Sequence, residues 1–274
     1  MAEECNHDCE SCGENCESRI VKLAPHEGVK IKHIIGVVSG KGGVGKSLTT
    51  SLLASSLAKK GHTVGILDAD ITGPSIPQAF GITSKATGSG NTIFPAISKG
   101  GIRIISANML LQNEDDAIIW RGSLISNLVK QFFTDVDWGE LEYLLIDMPP
   151  GTGDVPLTIF QSISIDGIIV VTSPQKLVSK IVSKAINMAR EMNIKVLGVV
   201  ENMSYVVCKN CETKNYVFGK SNTKETCDKF GVKLLAEIPL FEEIALAVDS
   251  GTIENVKHID AFNGVVAEIE NLGE

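Results

Sequence analysis

The sequence predicts an α/β fold: a mostly parallel, doubly wound sheet flanked by helices, with a flexible cysteine-rich tail in front. Three observations predict it. From Ile31 onward, strand-sized β-branched apolar runs alternate with helical patterns, and buried strands separated by helices pair in parallel. The polar and glycine-rich motifs fall directly after four such runs, after Val38, Leu67, Ile146 and Val200; ligands of these sheets bind beyond the carboxyl ends of the strands. Finally, residues 1–28 hold four of the seven cysteines and lack any apolar periodicity that builds a core.

Taken in order, Ile34 to Val38 reads as the first buried strand and Ser47 to Lys60 as a helix stopped by Gly61. Further strands are expected at Thr63–Leu67, Ile102–Ser106, Leu144–Asp147, Gly167–Thr172 and Val196–Glu201. The stretch from Gly81 to Gly101, rich in Gly, Ser, Thr and Asn, reads as an excursion or loop. The division is a tail over 1–28 and one domain over 29–274.

The 274 residues are 43% hydrophobic and 21% charged, an ordinary globular balance. A formal net charge of −8 argues against nucleic acid, since phosphate neutralisation needs a Lys/Arg surplus. Apolar runs are strand-sized, which argues against a membrane span. The N-terminus lacks the basic and apolar regions of a secretory signal, so a cytoplasmic location is expected. Clustered thiols in a reducing compartment point to metal or redox chemistry.

Gly40-Lys41-Gly42-Gly43-Val44-Gly45-Lys46-Ser47 follows a strand and opens a helix, the context of a P-loop. Its glycines let successive N–H groups converge on phosphate oxygens, and the helix N-terminus adds partial positive charge. Lys46 is expected on the β- and γ-phosphates of ATP, and the Ser47 hydroxyl on Mg²⁺. Leu48 completes the nucleotide-binding set. Asp147, after the apolar run Tyr143 to Ile146, is the Mg²⁺ carboxylate, because a hard cation among phosphates needs such oxygens. Asp70 is placed to orient the attacking water, with Asp68 supporting the metal shell; helix or turn capping competes for both. Gly151, in Pro149-Pro150-Gly151-Thr152-Gly153-Asp154, is expected to offer its N–H to the γ-phosphate.

Lys41, a second lysine inside the loop, makes the motif resemble the deviant Walker A of MinD, ParA and the nitrogenase iron protein. That resemblance implies a homodimer sandwiching ATP, with Lys41 reaching the partner's nucleotide; otherwise Lys41 is a solvated surface lysine. Asn202 resembles that family's adenine-reading asparagine, with helix capping as its competitor.

Cys208 and Cys211 form a CxxC, compatible with zinc, iron–sulfur or redox chemistry. Two thiolates are too few for a tetrahedral site. The dimer implied by Lys41 would supply four, enough for a bridging [4Fe–4S] cluster or for zinc in its place. Cys5, Cys9, Cys12 and Cys16 form a second array within twelve residues, whose thiolates repel one another unless a cation binds them. Cys5 to Cys12 matches the spacing of radical SAM enzymes, but it precedes the fold instead of following a first barrel strand. His7 reads as incidental, and Cys227 as a small buried hydrophobe.

Together the motifs resemble the Mrp/ApbC/Nbp-type iron–sulfur cluster carrier ATPases, P-loop NTPases of the SIMIBI type. The resemblance spans about Ile31 to Ile253. It rests on Asp68-Ala69-Asp70-Ile71-Thr72-Gly73-Pro74-Ser75-Ile76-Pro77, on Asp147 to Asp154, and on Glu201-Asn202-Met203-Ser204 leading to Cys208 and Cys211. It implies a slow ATPase that holds a labile cluster across its homodimer, receives it from a scaffold or donor protein and passes it to apo iron–sulfur proteins. Lys209 and Ser123 stand where the family usually has proline; neither change removes a ligand. Alternatives are a MinD- or ParA-like positioning ATPase, a nitrogenase-iron-protein-like reductase and a structural zinc protein. The first is disfavoured by the acidic C-terminus from Ala267 to Glu274, which lacks a basic amphipathic anchor.

Overall fold

The structure is a computed structural model that describes residues 22–70, 75–110, 122–175, 178–257 and 260–273. In chain order the elements are β1 (Lys30–Ser39), α1 (Lys46–Lys59), β2 (Val64–Asp68), α2 (Ser75–Ala79), β3 (Thr87–Ser89), β4 (Thr92–Phe94), β5 (Ala96–Ile97) and β6 (Arg103–Ser106). There follow α3 (Gly122–Thr134), β7 (Glu140–Asp147), α4 (Asp154–Ser162), β8 (Gly167–Thr172), α5 (Val178–Glu191) and β9 (Val196–Asn202). The last are β10 (Val206–Val207), β11 (Lys214–Asn215), α6 (Thr223–Phe230), β12 (Leu234–Ile238), α7 (Glu242–Asp249) and α8 (Asn263–Glu270).

Eight strands form one sheet in the order β12-β9-β8-β1-β7-β2-β6-β5. All its pairings are parallel except that of β5 with β6. Strand β1 lies at the middle, with Val37 opposite both Asp147 of β7 and Ile169 of β8. The expected doubly wound sheet is therefore present. Because successive side chains of a strand point to opposite faces, β1 sends Ile34 and Val38 to one core and Ile35 and Val37 to the other. The first core is covered by α3, α4, α5 and α6, the second by α1, α2, α7 and α8. Trp138 is wholly buried under the first layer, its indole N–H donating to the Phe132 carbonyl at 3.1 Å. Each such buried large apolar side chain contributes about 1.5–3 kcal/mol.

Two departures from the sequence reading have plain causes. Leu234–Ile238 adds a seventh parallel strand, β12, at the sheet edge, where alternate exposure blurs the apolar run. The Gly81–Gly101 excursion is not a plain loop: it holds the antiparallel hairpin β3–β4 and the short strand β5. The end of the tail segment lies against α4: the Leu23 N–H donates to the Ser162 carbonyl at 2.7 Å, and Lys22 Nζ to the Phe160 carbonyl at 2.6 Å. Cys5, Cys9, Cys12, Cys16 and His7 lie outside the described residues.

Candidate functional site: a phosphate loop and a thiol hairpin

Parallel strands point their carboxyl ends one way, so the loops after β1, β2, β7 and β9 gather at one edge of the sheet. There the chain from Ser39 to Lys46 curls into a loop in which Gly43 and Gly45 take φ of 76° and 78°, a left-handed geometry that favours glycine. A methyl group on Gly45 would also overlap the Asn202 side-chain amide. The loop bounds a cavity of about 290 Å³, lined by Gly42, Gly43, Val44, Gly45, Lys46, Ser47 and Leu48 and, across from them, Asp70, Pro150 and Val248. Backbone N–H groups and a helix start facing such a space define an anion site.

Lys46 is 5% exposed, with Nζ 2.7 Å from Asp147 Oδ2 and 3.3 Å from Asp70 Oδ2. Burial on its own would lower the pKa of this ammonium. The charges of Asp147 and Asp70, with the hydrogen bond to Asp147, outweigh burial and hold it above its ordinary value. Ser47 Oγ donates to the same Asp147 oxygen at 2.6 Å, and Thr50 Oγ1 to Asp147 Oδ1 at 2.7 Å. Asp147 is thus fixed through both oxygens. Asp68 is 1% exposed; it accepts from Ser106 Oγ at 2.7 Å and from the Asp70 N–H at 3.1 Å. Burial, then the neighbouring Asp147 charge, push its carboxyl up to about 8.

The remaining expected residues are placed as follows. Lys41 Nζ donates to the Gln175 side-chain carbonyl within its own chain. The Gly151 N–H donates to the Ser39 carbonyl at 2.8 Å, with φ of 96°. Asn202 is 3% exposed and donates from Nδ2 to the Val44 carbonyl at 2.9 Å, bracing the loop from below. Thr50, Ser106 and Gln175 escaped the sequence reading. Thr50 had one usable signal, its place three residues after Ser47 on the same helix face. The other two depend on tertiary contacts alone.

Beyond β9 the chain forms a hairpin of β10 and β11 that presents the CxxC. The Cys208 N–H donates to the Thr213 carbonyl at 3.0 Å and the Glu212 N–H to the Cys208 carbonyl at 2.9 Å, closing the turn. Both thiols are free, Cys208 half-buried and Cys211 exposed. Cys211 Sγ lies 3.3 Å from Thr213 Oγ1. Hydrogen bonds with the Thr213 side chain, then with its backbone, then with Cys208, hold the Cys211 thiol below its ordinary value. Cys227 is not part of this site: it is 1% exposed in the core under α6, and burial pushes its thiol up to about 11. Among the described residues no group of three or more Cys, His, Asp and Glu side chains is arranged to hold a metal ion by itself. Nor, among them, is any helix long and apolar enough to cross a membrane.

The fold and the phosphate loop define a nucleotide-binding P-loop NTPase. Residues 30–270 match the family described as ParA, the NUBPL iron-transfer P-loop NTPases, and the chain belongs to that family. The iron–sulfur cluster carrier protein of Clostridium perfringens is 46% identical over 248 residues, 87% of each chain. That of Methanocaldococcus jannaschii is 41% identical, covering 97% of this chain and 96% of its own. A cytosolic Fe–S cluster assembly factor, CFD1 of Chaetomium globosum, is 39% identical over 86% of this chain and 83% of its own. Among solved structures, a nucleotide-binding protein of Archaeoglobus fulgidus in complex with ADP is 42% identical. It superposes with a TM-score of 0.76 over 85% of this chain and 91% of its own. The cell-division ATPase MinD of Pyrococcus furiosus, 20% identical with a TM-score of 0.64 over 88% and 99%, shares the fold.

Proposed function

We propose that this protein is an ATP-binding and ATP-hydrolysing carrier that holds a [4Fe–4S] cluster between two copies of itself and delivers it to apo-proteins. The observation that carries the proposal is the placing of two free thiols, Cys208 and Cys211, on a closed hairpin at the sheet edge that bears the phosphate loop. One chain offers two thiolates and a cluster takes four; a second copy related by a two-fold axis supplies the rest. The relatives named as cluster carriers and assembly factors support the cargo. In this reading a scaffold or donor protein supplies the cluster, apo iron–sulfur proteins receive it, and the work is cytoplasmic, as the name of the CFD1 relative states of that protein. The domain begins near residue 29, and the tail cysteines form a second metal or cluster site.

In the nucleotide site, the N–H groups of Gly42 to Ser47 and the Lys46 ammonium bind the phosphates. The hydroxyl of Ser47 and the carboxylate of Asp147 are hard oxygen donors 2.6 Å apart and fit Mg²⁺, which when bound neutralises phosphate charge. Asp70 holds the attacking water, and Asp68 supports the shell. Lys41 exchanges Gln175 for the partner's nucleotide. Gly151 exchanges the Ser39 carbonyl for the γ-phosphate, so that its segment reports ATP against ADP. Asn202 reads adenine from its place beside Val44.

The test is anaerobic reconstitution with iron and sulfide, followed by metal and sulfide quantitation. The wild type is expected to hold one four-iron cluster per dimer and to pass it to an apo-ferredoxin, and Cys208→Ala or Cys211→Ala to abolish both. Undiminished loading and transfer by the double variant would sink the proposal. Zinc without sulfide would favour a structural zinc site instead.

A further inference from the structure

The segment from Asn202, which touches the P-loop, to Cys208 is short and almost continuously held. Asn202 Nδ2 donates to the Val44 carbonyl at 2.9 Å. The Ser204 N–H donates to the Ile238 carbonyl at 2.9 Å, and its hydroxyl donates to the backbone carbonyl of Glu201 at 3.0 Å, with Glu201 Oε1 at 2.8 Å. The Tyr205 carbonyl accepts from the Leu240 N–H at 2.8 Å, Val206 and Val207 pair with Asn215 and Lys214, and Cys208 is tied to Thr213. Between these anchors stands Met203, with φ of 59°, a left-handed torsion that few residues other than glycine adopt. Its Cε would lie 3.7 Å from a methyl group built on Gly45. The Met203 side chain therefore lies beside the phosphate loop at Gly45, and Met203 is the point where the backbone turns from β9 toward the hairpin.

We infer that Met203 is a positioning residue that couples the two sites. When phosphates reshape the loop at Val44 and Gly45, Asn202 follows the Val44 carbonyl, and Met203, next in the chain and with its side chain beside Gly45, moves with it. The left-handed turn converts that shift into a rotation of the Tyr205–Thr213 segment, which changes how far Cys208 and Cys211 are exposed. A segment held at both ends by hydrogen bonds transmits a displacement better than a loose loop, because it has fewer ways to absorb it. This rests on the reading that the thiols carry the cargo, but it concerns the thiols themselves.

The test uses the full-length protein freed of metal, with peptide-resolved iodoacetamide labelling of Cys208 and Cys211, with and without a non-hydrolysable ATP analogue and Mg²⁺. In the wild type the analogue is expected to change the labelling rate of at least one of the two thiols by about threefold or more, within the range of coupling carried by connecting residues. Met203→Gly, which frees the torsion and removes the side chain beside Gly45, is expected to lose that change at an analogue concentration shown by calorimetry to saturate the variant. Met203→Asn, which tolerates the torsion but lacks the thioether, is the second variant and is expected to lose it too. Labelling is compared at equal dimer fraction by sedimentation, so shielding by a partner does not imitate coupling. The inference is overturned if the wild type shows no nucleotide-dependent change, or if the change survives in a folded variant. Failure to load a cluster would sink the carrier reading and leave this result standing.

Discussion

Lys46 Nζ and Asp147 Oδ2 lie 2.7 Å apart, with side chains 5% and 0% exposed, so the buried ammonium of the loop already has a carboxylate partner. A lysine this deeply buried needs a carboxylate, and the carboxylate needs the hydroxyls of Ser47 and Thr50. In the proposed function, nucleotide with its cation would therefore replace an existing set of charges instead of filling a bare hole.

From this follows the first prediction. Asp147→Ala leaves Lys46 buried beside Asp70 alone and is expected to destabilise the nucleotide-free protein by about 3–5 kcal/mol. Adding Lys46→Met should recover part of that loss. Urea denaturation of the two variants and the wild type measures both effects; a double variant no more stable than the single one would contradict the pairing.

Gly45 gives the second. Its φ of 78° and its closeness to Asn202 mean that Gly45→Ala meets both torsional and steric cost. The torsional part alone is about 1–2 kcal/mol. The unfolding free energy from urea denaturation of the nucleotide-free protein is expected to fall by at least that much. Asn202→Ala in addition should relieve only the steric share.

The third concerns pH. Asp68 is held at about 8 in the folded protein against 3.8 in its absence of environment. The folded state thus binds more protons across that window, and this group's contribution to stability is full below about pH 4 and lost as pH rises through 8. Asp68→Asn should flatten the downward slope of unfolding free energy between pH 5 and 8 in metal-free, nucleotide-free protein. Glu142 and Glu270, held below their ordinary values, act in the opposite sense but equally in both proteins. Parallel slopes would contradict the assignment.

Thiol chemistry supplies a fourth. At pH 8, peptide-resolved alkylation should label Cys211 first, Cys208 next and Cys227 only on unfolding, following their exposure and the opposite shifts of Cys211 and Cys227. Thr213→Val removes the hydroxyl 3.3 Å from Cys211 Sγ and is expected to slow Cys211 severalfold. An unchanged rate would show that the hydroxyl does not tune the thiol.

How legible was this in the sequence? Strand β8 was read at the residues where it stands, Gly167–Thr172, because every residue in it is buried and the apolar run has no gap. Strand β1 extends four residues before the expected Ile34: Lys30, Lys32 and His33 interrupt the apolar run, yet Lys30, Ile31 and His33 pair along β7, with Lys30 joined to Glu140 at 2.8 Å. Edge strand β12 escaped because one of its faces is partly open. In the site, Lys46, Ser47, Asp70 and Asp147 were legible as candidates from their strand–loop–helix context, and the fold sets Lys46 against both Asp147 and Asp70, and Ser47 against Asp147. The partners Thr50, Ser106, Gln175 and Thr213 were not. Hydroxyl and amide side chains are common everywhere, and apart from Thr50, which shares a helix face with Ser47, only tertiary distance marks them.

One feature of β9 constrains how this protein can vary through insertion and deletion. Val199 belongs to the core under α5 and α6, and Val200 to the core under α1. By the same alternation Glu201 sits on the side of Cys227, while Asn202 meets Val44. Loss of one residue within the strand would exchange them, sending a carboxylate to the phosphate loop and an amide into the opposite layer. The reading frame of that strand, more than any single side chain in it, is what heredity has to preserve.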